Sequence, residues 1–301
     1  MVNKFIKTEK AEAWVILFIL SIIWGSSFIL IKKGLEVFSP AQVGTIRIVF
    51  AFLVMLPFAL KHLKIVSKDK YKYIFFTGLV GNLIPAILFA IAETRLESSL
   101  TGILNALSPM FTLLIAVFVF KYPINFRQIL GLLIGFVGAI GLSFVSSSGG
   151  MGSMNVYVWL IVTATICYSV SLNFIKAYLG GLSSIVITSL AMLSIGPVSL
   201  IYLLTTDFIN KLMNTQGAFE SLGYIFLLGV FGTAIGLVLY TRLILMTTPI
   251  FASSVTYLIP IVAIFWGLFD DEILYPLHLV GMFIILLGIY IVNRTESFNK
   301  V

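Results

Sequence analysis

The chain has 301 residues, 60% hydrophobic and 10% charged, with a net charge of +7 and a mean hydropathy of +1.11. A soluble domain needs roughly a quarter of its residues charged to cover its surface, so this composition excludes one and points to an integral membrane protein. The positive charge does not make a nucleic-acid surface either, because the lysines form no patch with interleaved aromatics, and no nucleic-acid partner is expected.

The first apolar run follows a lysine-rich start and superficially resembles a secretory signal, but it has no small-residue cleavage site and is read as a retained helix. A bilayer core of about 30 Å takes about 20 apolar residues per helix. That length places ten spans at residues 14–31, 41–60, 73–92, 99–119, 128–145, 156–177, 183–205, 222–245, 251–269 and 276–292. Span one carries Trp24-Gly25-Ser26-Ser27-Phe28 at mid-depth and ends in Lys32 and Lys33. Span two opens at Ser39-Pro40 and holds Arg47 about two turns in, too deep to snorkel freely. It either pairs with Glu93 at the end of span three or faces a cavity. Span three has Asn82 and Pro85 near its middle, and span four has Asn105 and Pro109. The fifth span (Gly131, Gly135, Gly138, Gly141) has G-x-x-x-G spacing, read as packing within one chain ahead of a dimer seam. Residues 146–155, rich in Ser and Gly, form the one evident flexible linker.

Beyond the linker the chain echoes itself. Tyr168, Ser171 and Lys176 of span six fall at one common offset from Trp24, Ser27 and Lys32. At a second offset Gly229, Gly232, Tyr240 and Pro260 answer Gly78, Gly81, Phe89 and Pro109, with Thr256 answering Asn105. The division gives two halves of five spans, residues 1–149 and 150–301. An odd number of spans per half inverts the second copy, so the expected fold is an all-α membrane protein of ten helices in two inverted five-helix repeats around a central cavity. Lysines 61, 64, 68, 70 and 72 crowd the loop after span two, while Lys32, Lys33, Arg95 and Lys211 are sparse on the opposite face. The bias puts both termini in the cytoplasm.

Polar groups in hydrocarbon are costly and mark a pathway unless they serve packing. Trp24 with Ser27, and Tyr168 with Ser171, share a helix face at mid-depth, an arrangement suited to a small organic solute. Pro109 and Pro260 free carbonyls one turn back, and Lys32 and Lys176 stand as gate candidates at opposite mouths. The bland alternatives are close packing at the serines, plain kinks at the prolines and lysines snorkelling to headgroups. No Asp or Glu sits at mid-depth, both histidines are placed in loops, and no nucleophile–base set, metal cluster or phosphate loop is present. No catalysis, cofactor or metal is expected.

These residues, W-G-S-S-F with a lysine closing span one, Arg47 after Ser39-Pro40, Asn105 to Pro109 and a Gly-rich fifth span, resemble the drug/metabolite transporter superfamily of the EamA type over essentially the whole chain. The resemblance implies a basket whose cavity is lined by spans one, three, four, six, eight and nine. Trp24, Ser27, Asn82, Asn105, Tyr168, Ser171, Tyr240 and Thr256 then become cavity residues, and Arg47, Pro109 and Pro260 complete the substrate-site set. It implies alternating-access transport of a small metabolite, commonly an amino acid or related solute, in a bacterial plasma membrane, by a monomer or homodimer. A nucleotide-sugar or sugar-phosphate exchanger is the alternative, and it would need several basic residues in one cavity. Lys121 departs from the family, which often has an acid after span four; Glu272 keeps one after span nine.

Overall fold

The computed structural model describes residues 2–121, 125–145 and 154–293. Its spans are α1 (Ala11–Leu35), α2 (Pro40–His62), α3 (Lys68–Ala92) and α4 (Ser98–Phe118), then the shorter α5 (Phe126–Ser143). The second half gives α6 (Tyr157–Tyr178), α7 (Ser184–Thr205), α8 (Ala218–Met246) and α9 (Pro249–Phe269), then α10 (Pro276–Asn293). Each coincides with a predicted span. Most of the predicted linker, the division at 149/150, Arg294 and Lys300 lie outside the described residues.

Local chemistry sets the ends. Ser39 opens α2 with a capping box, accepting from the Gln42 amide at 3.4 Å while its own amide donates to the Gln42 side chain at 2.9 Å. Ser183 and Thr248 accept from the amides of Val186 and Phe251 at 3.4 and 3.1 Å, starting α7 and α9 in the same way. Two expectations need correction. A short helix, Phe208–Asn214, occupies what composition leaves as loop, because Phe208 packs on Phe38 with ring centroids 5.6 Å apart. The histidines are not in loops: His62 is the last residue of α2, and His278 lies in the first turn of α10, buried, with its ring nitrogen 3.3 Å from the Tyr275 amide.

The packing follows a two-fold pattern. α2 lies against α7, α4 against α9 and α5 against α10, each helix beside its own counterpart. The other contacts come in matched pairs: α1 on α8 answers α6 on α3, and α2 on α8 answers α7 on α3. Gly78 and Gly229 allow the last two approaches, since a Cβ would lie 3.0 Å from the Ala191 carbonyl at one and 2.9 Å from the Arg47 carbonyl at the other. The glycines of α5 and α10 face each other. A Cβ on Gly288 would come within 2.5 Å of the Gly135 nitrogen, and one on Gly138 within 3.0 Å of the Ile285 nitrogen. The G-x-x-x-G seam is therefore consumed inside the chain.

Candidate functional site

The site begins where helices loosen. α1 is interrupted at Ser26, and the Ser26 and Ser27 hydroxyls donate to the carbonyls of Ile22 and Ile23 at 2.8 and 3.0 Å, a local competition that bends helices. In α3 and α8 the backbone widens into π-turns at Leu79–Leu83 and Leu228–Ile235, a feature that concentrates at functional sites. The Asn82 amide donates to the Thr77 carbonyl at 3.0 Å, and the Thr233 hydroxyl to the Leu228 carbonyl at 3.3 Å. Each side chain thus satisfies a carbonyl five residues back in its own turn, at matching places in the two halves.

The halves then interlock. Gly81, in the turn of α3, lies so close to Ser171 that a Cβ there would collide with its hydroxyl; Gly232, in the turn of α8, leaves 3.0 Å to the Ser27 hydroxyl. Trp24 stands edge-on to Tyr240 with centroids 4.7 Å apart, and its indole N–H donates to the Gly232 carbonyl at 2.8 Å. The counterpart pair, Tyr168 and Phe89, stacks at 5.8 Å. Between these walls lies a cavity of about 100 Å³, room for several waters or one small solute.

Arg47 dominates its electrostatics. Nε donates to Thr233 Oγ1 at 3.0 Å, and among the described residues no carboxylate reaches ion-pair distance of the guanidinium. Arg47 is the one cation among the described lining residues, and no Asp or Glu joins it there. Of the two sequence alternatives, facing the cavity is the one adopted.

The helix ends that carry Lys32 and Lys176 are held differently. At one end Lys32 lies 2.8 Å from Asp270, 2.9 Å from Glu272 and 3.3 Å from Glu97. Lys33 joins Asp270 at 2.8 Å. α9 stops in a turn with Asp271 left-handed (φ 57°) and the Glu272 amide donating back to the Gly267 carbonyl at 2.9 Å, the six-to-one bond of a Schellman motif. That turn aims Glu272 at the start of α4. There its carboxylate accepts from the amides of Ser98 and Ser99, both at 3.0 Å, and from both hydroxyls, Ser99 at 2.7 Å. A helix N-terminus favours such a charge. Burial opposes ionisation of Glu272, but the Ser98, Lys32 and Ser99 hydrogen bonds outweigh it and hold the carboxyl at about 2. Asp270 is likewise lowered, the Lys32 and Lys33 hydrogen bonds overcoming its desolvation. At the other end Lys176 donates to the carbonyls of Ile244, Leu245 and Thr247 at 3.2, 3.2 and 2.6 Å, around the C-terminus of α8.

A model of the EamA-like transporter family matches residues 12–144 and 155–294. The chain belongs to that family. It is 26% identical over 94% of its length to an uncharacterized transporter of Archaeoglobus fulgidus, covering 99% of that protein. It is 28% identical to the inner membrane transporter YedA of Escherichia coli, over 83% of this chain and 80% of YedA. A solved crystal structure superposes with a TM-score of 0.65 at 14% identity, covering 95% of this chain and 99% of the other, which shows the shared fold. The protein is a multi-pass membrane transporter.

In this EamA-like transporter, Trp24, Ser27, Arg47, Asn82, Asn105, Tyr168, Ser171, Tyr240 and Thr256 all line the one cavity. Pro109 and Pro260 do not; they sit in the first turns of the half-helices of α4 and α9, buried behind the lining. Lys32 and Lys176 also stand off the cavity wall. The sequence reading missed Thr233, which anchors Arg47, and the α4–α6 network. In that network Ser169 donates to the Ser108 carbonyl at 2.9 Å and Asn173 to the Thr112 carbonyl at 3.2 Å. One signal pointed to Thr233: it falls at the repeat offset from Asn82.

Proposed function

We propose that the cavity carries a small solute bearing a carboxylate or similar anionic group, an amino acid or related zwitterion, by alternate opening of the Lys32 and Lys176 ends. The supporting observation is Arg47. A guanidinium keeps its charge and presents five donors in a fork suited to a carboxylate; here one donor goes to Thr233 and no acid faces the rest. Trp24, Tyr240 and Tyr168 supply apolar walls around it. A sugar-phosphate or nucleotide-sugar exchanger is less well supported, because a single cation is a poor match for several phosphate charges. The lysine-rich loop after α2 favours a bacterial plasma-membrane topology with both termini cytoplasmic and the Lys32 end outside.

The test is a thermal-stability screen of detergent-purified protein against carboxylate-bearing and neutral metabolites, since a ligand of the native state raises its stability. Stabilisation by carboxylate ligands is expected, with affinity falling about ten- to a hundredfold in Arg47→Gln, the loss of a charge-assisted hydrogen bond. Equal ligand stabilisation in wild type and Arg47→Gln overturns the reading. Trp24→Ala and Tyr168→Ala are expected to remain folded and to abolish uptake of the identified ligand into reconstituted vesicles.

A further inference from the structure

Glu93 follows directly on α3 and is unlike every other acid near the pathway. It is 7% exposed, and among the described residues neither carboxyl oxygen has a hydrogen-bond partner. Its amide still closes a helical turn on the Phe89 carbonyl at 2.9 Å, so the carboxyl lies one turn beyond a residue of the cavity wall. The charges acting on it are Glu272, Arg47 and Lys32, and among the described residues none of them hydrogen-bonds to it. Lys32 is held by three carboxylates and Glu272 by Ser98 and Ser99, while Arg47, with one donor on Thr233, faces the cavity. Lys33 is tied to Asp270 and Glu36, and from α6 Tyr168 stacks on Phe89, one turn before Glu93. A buried carboxylate without donors, beside a second anion, is far costlier than the neutral acid.

We propose that Glu93 is a proton-binding site linked to the Lys32 end of the pathway, protonated while that end is sealed and ionised when it opens. On opening, water reaches the carboxyl, its O–H bond breaks and the proton passes to that water; on closing, the bond re-forms with a proton from the same side. Each closure at neutral pH therefore takes up one proton, and acidification on that side favours the sealed state by up to about tenfold per pH unit. Glu272 acts in the opposite sense, but its seat is lost only in far stronger acid. The range from about pH 6 to 8 stays well clear of the acid that unseats Glu272.

The proposal rests on the gate reading above, and the experiment separates the two. In a Cys167→Ser background, Ile31→Cys places a thiol on the cavity wall next to Lys32. Sealed right-side-out vesicles are exposed to a membrane-impermeant maleimide across this pH range. With Glu93 present, labelling, divided at each pH by the rate for the same thiol in the unfolded protein because maleimide reacts with the thiolate, is expected to slow up to about tenfold per unit as pH falls; in Glu93→Gln the corrected rate is expected to be slow and flat. Infrared spectra of the purified protein at neutral pH should show a protonated-carboxyl band that Glu93→Gln removes and Glu97→Gln leaves. The same pH slope in Glu93→Gln, or an unaltered band, overturns the proton site and leaves the gate standing. No labelling at any pH overturns the gate and the proposal with it.

Discussion

Lys32 and Lys176 hold equivalent places in the two repeats, yet one ends among three carboxylates and the other among three carbonyls. The first ties α1 to the start of α4 and to the loop between α9 and α10; the second ties α6 only to the C-terminus of α8. The backbone is not the source of the difference. A left-handed residue follows both α4 and α9, Lys121 at φ 58° and Asp271 at φ 57°. The chemistry at that turn differs: an acid follows α9 and seats itself on α4, whereas α4 is followed by a lysine that could only repel Lys176. The two repeats thus share a framework and tie down these helix ends unequally, by a cluster of charges at Lys32 and by helix-terminal carbonyls at Lys176.

The largest expected blow to this asymmetry is Glu272→Ala. It strips four donors and Lys32 of their shared anion, and removing one partner of a buried charge cluster costs about 3–5 kcal/mol. Thermal unfolding in detergent measures the loss, and labelling of Ile31→Cys should rise. Acid reaches the same endpoint in the wild type. A carboxyl lowered to about 2 from an ordinary value near ~4.3 contributes fully above that ordinary value and loses its contribution as pH falls through the folded one. The unfolding midpoint should accordingly fall more steeply below about pH 4 in wild type than in Glu272→Gln.

Gly267→Ala tests the seat rather than the charge. A Cβ there would lie 2.5 Å from Glu272 Oε2 and 3.1 Å from Ser99 Cβ, so the carboxylate must shift. About 1–3 kcal/mol of destabilisation is expected, and the double variant with Glu272→Ala should fall short of the sum, as for any pair in contact. Additive losses would mean that Gly267 acts elsewhere. The smallest effect belongs to Lys176→Met, about 0.3–1 kcal/mol, the worth of a cation at a helix C-terminus. If it equals that of Glu272→Ala in the same unfolding measurement, the two ends are equivalent and the comparison fails.

Much of this was legible from residue order alone. Apolar run length fixed the spans, and the recurrence of Trp24-Ser27 as Tyr168-Ser171 marked the faces that meet at the cavity. Offsets reveal equivalence but not which half faces which. That Ser27 packs on Gly232, and Ser171 on Gly81, depends on the two-fold contact of α1 with α8 and of α6 with α3. The π-turns were invisible because a widened turn leaves composition unchanged; Pro85 hinted at a break, and Asn82 and Thr233 show where the carbonyls freed by it go. Glu272 read only as an acid after span nine. Its role depends on a left-handed residue, Asp271, and on a helix start more than 170 residues earlier in the chain.

The α5–α10 seam carries a consequence for how the molecule behaves in a crowded or a sparse bilayer. Glycine contacts of this kind, when they join separate chains, obey mass action and loosen as lipid dilutes the protein. Here both strips belong to one polypeptide, so their effective concentration is set by the chain between them. The grip of Gly135 and Gly138 on Gly281 and Gly288 should be as firm in a vesicle holding one molecule as in one holding hundreds.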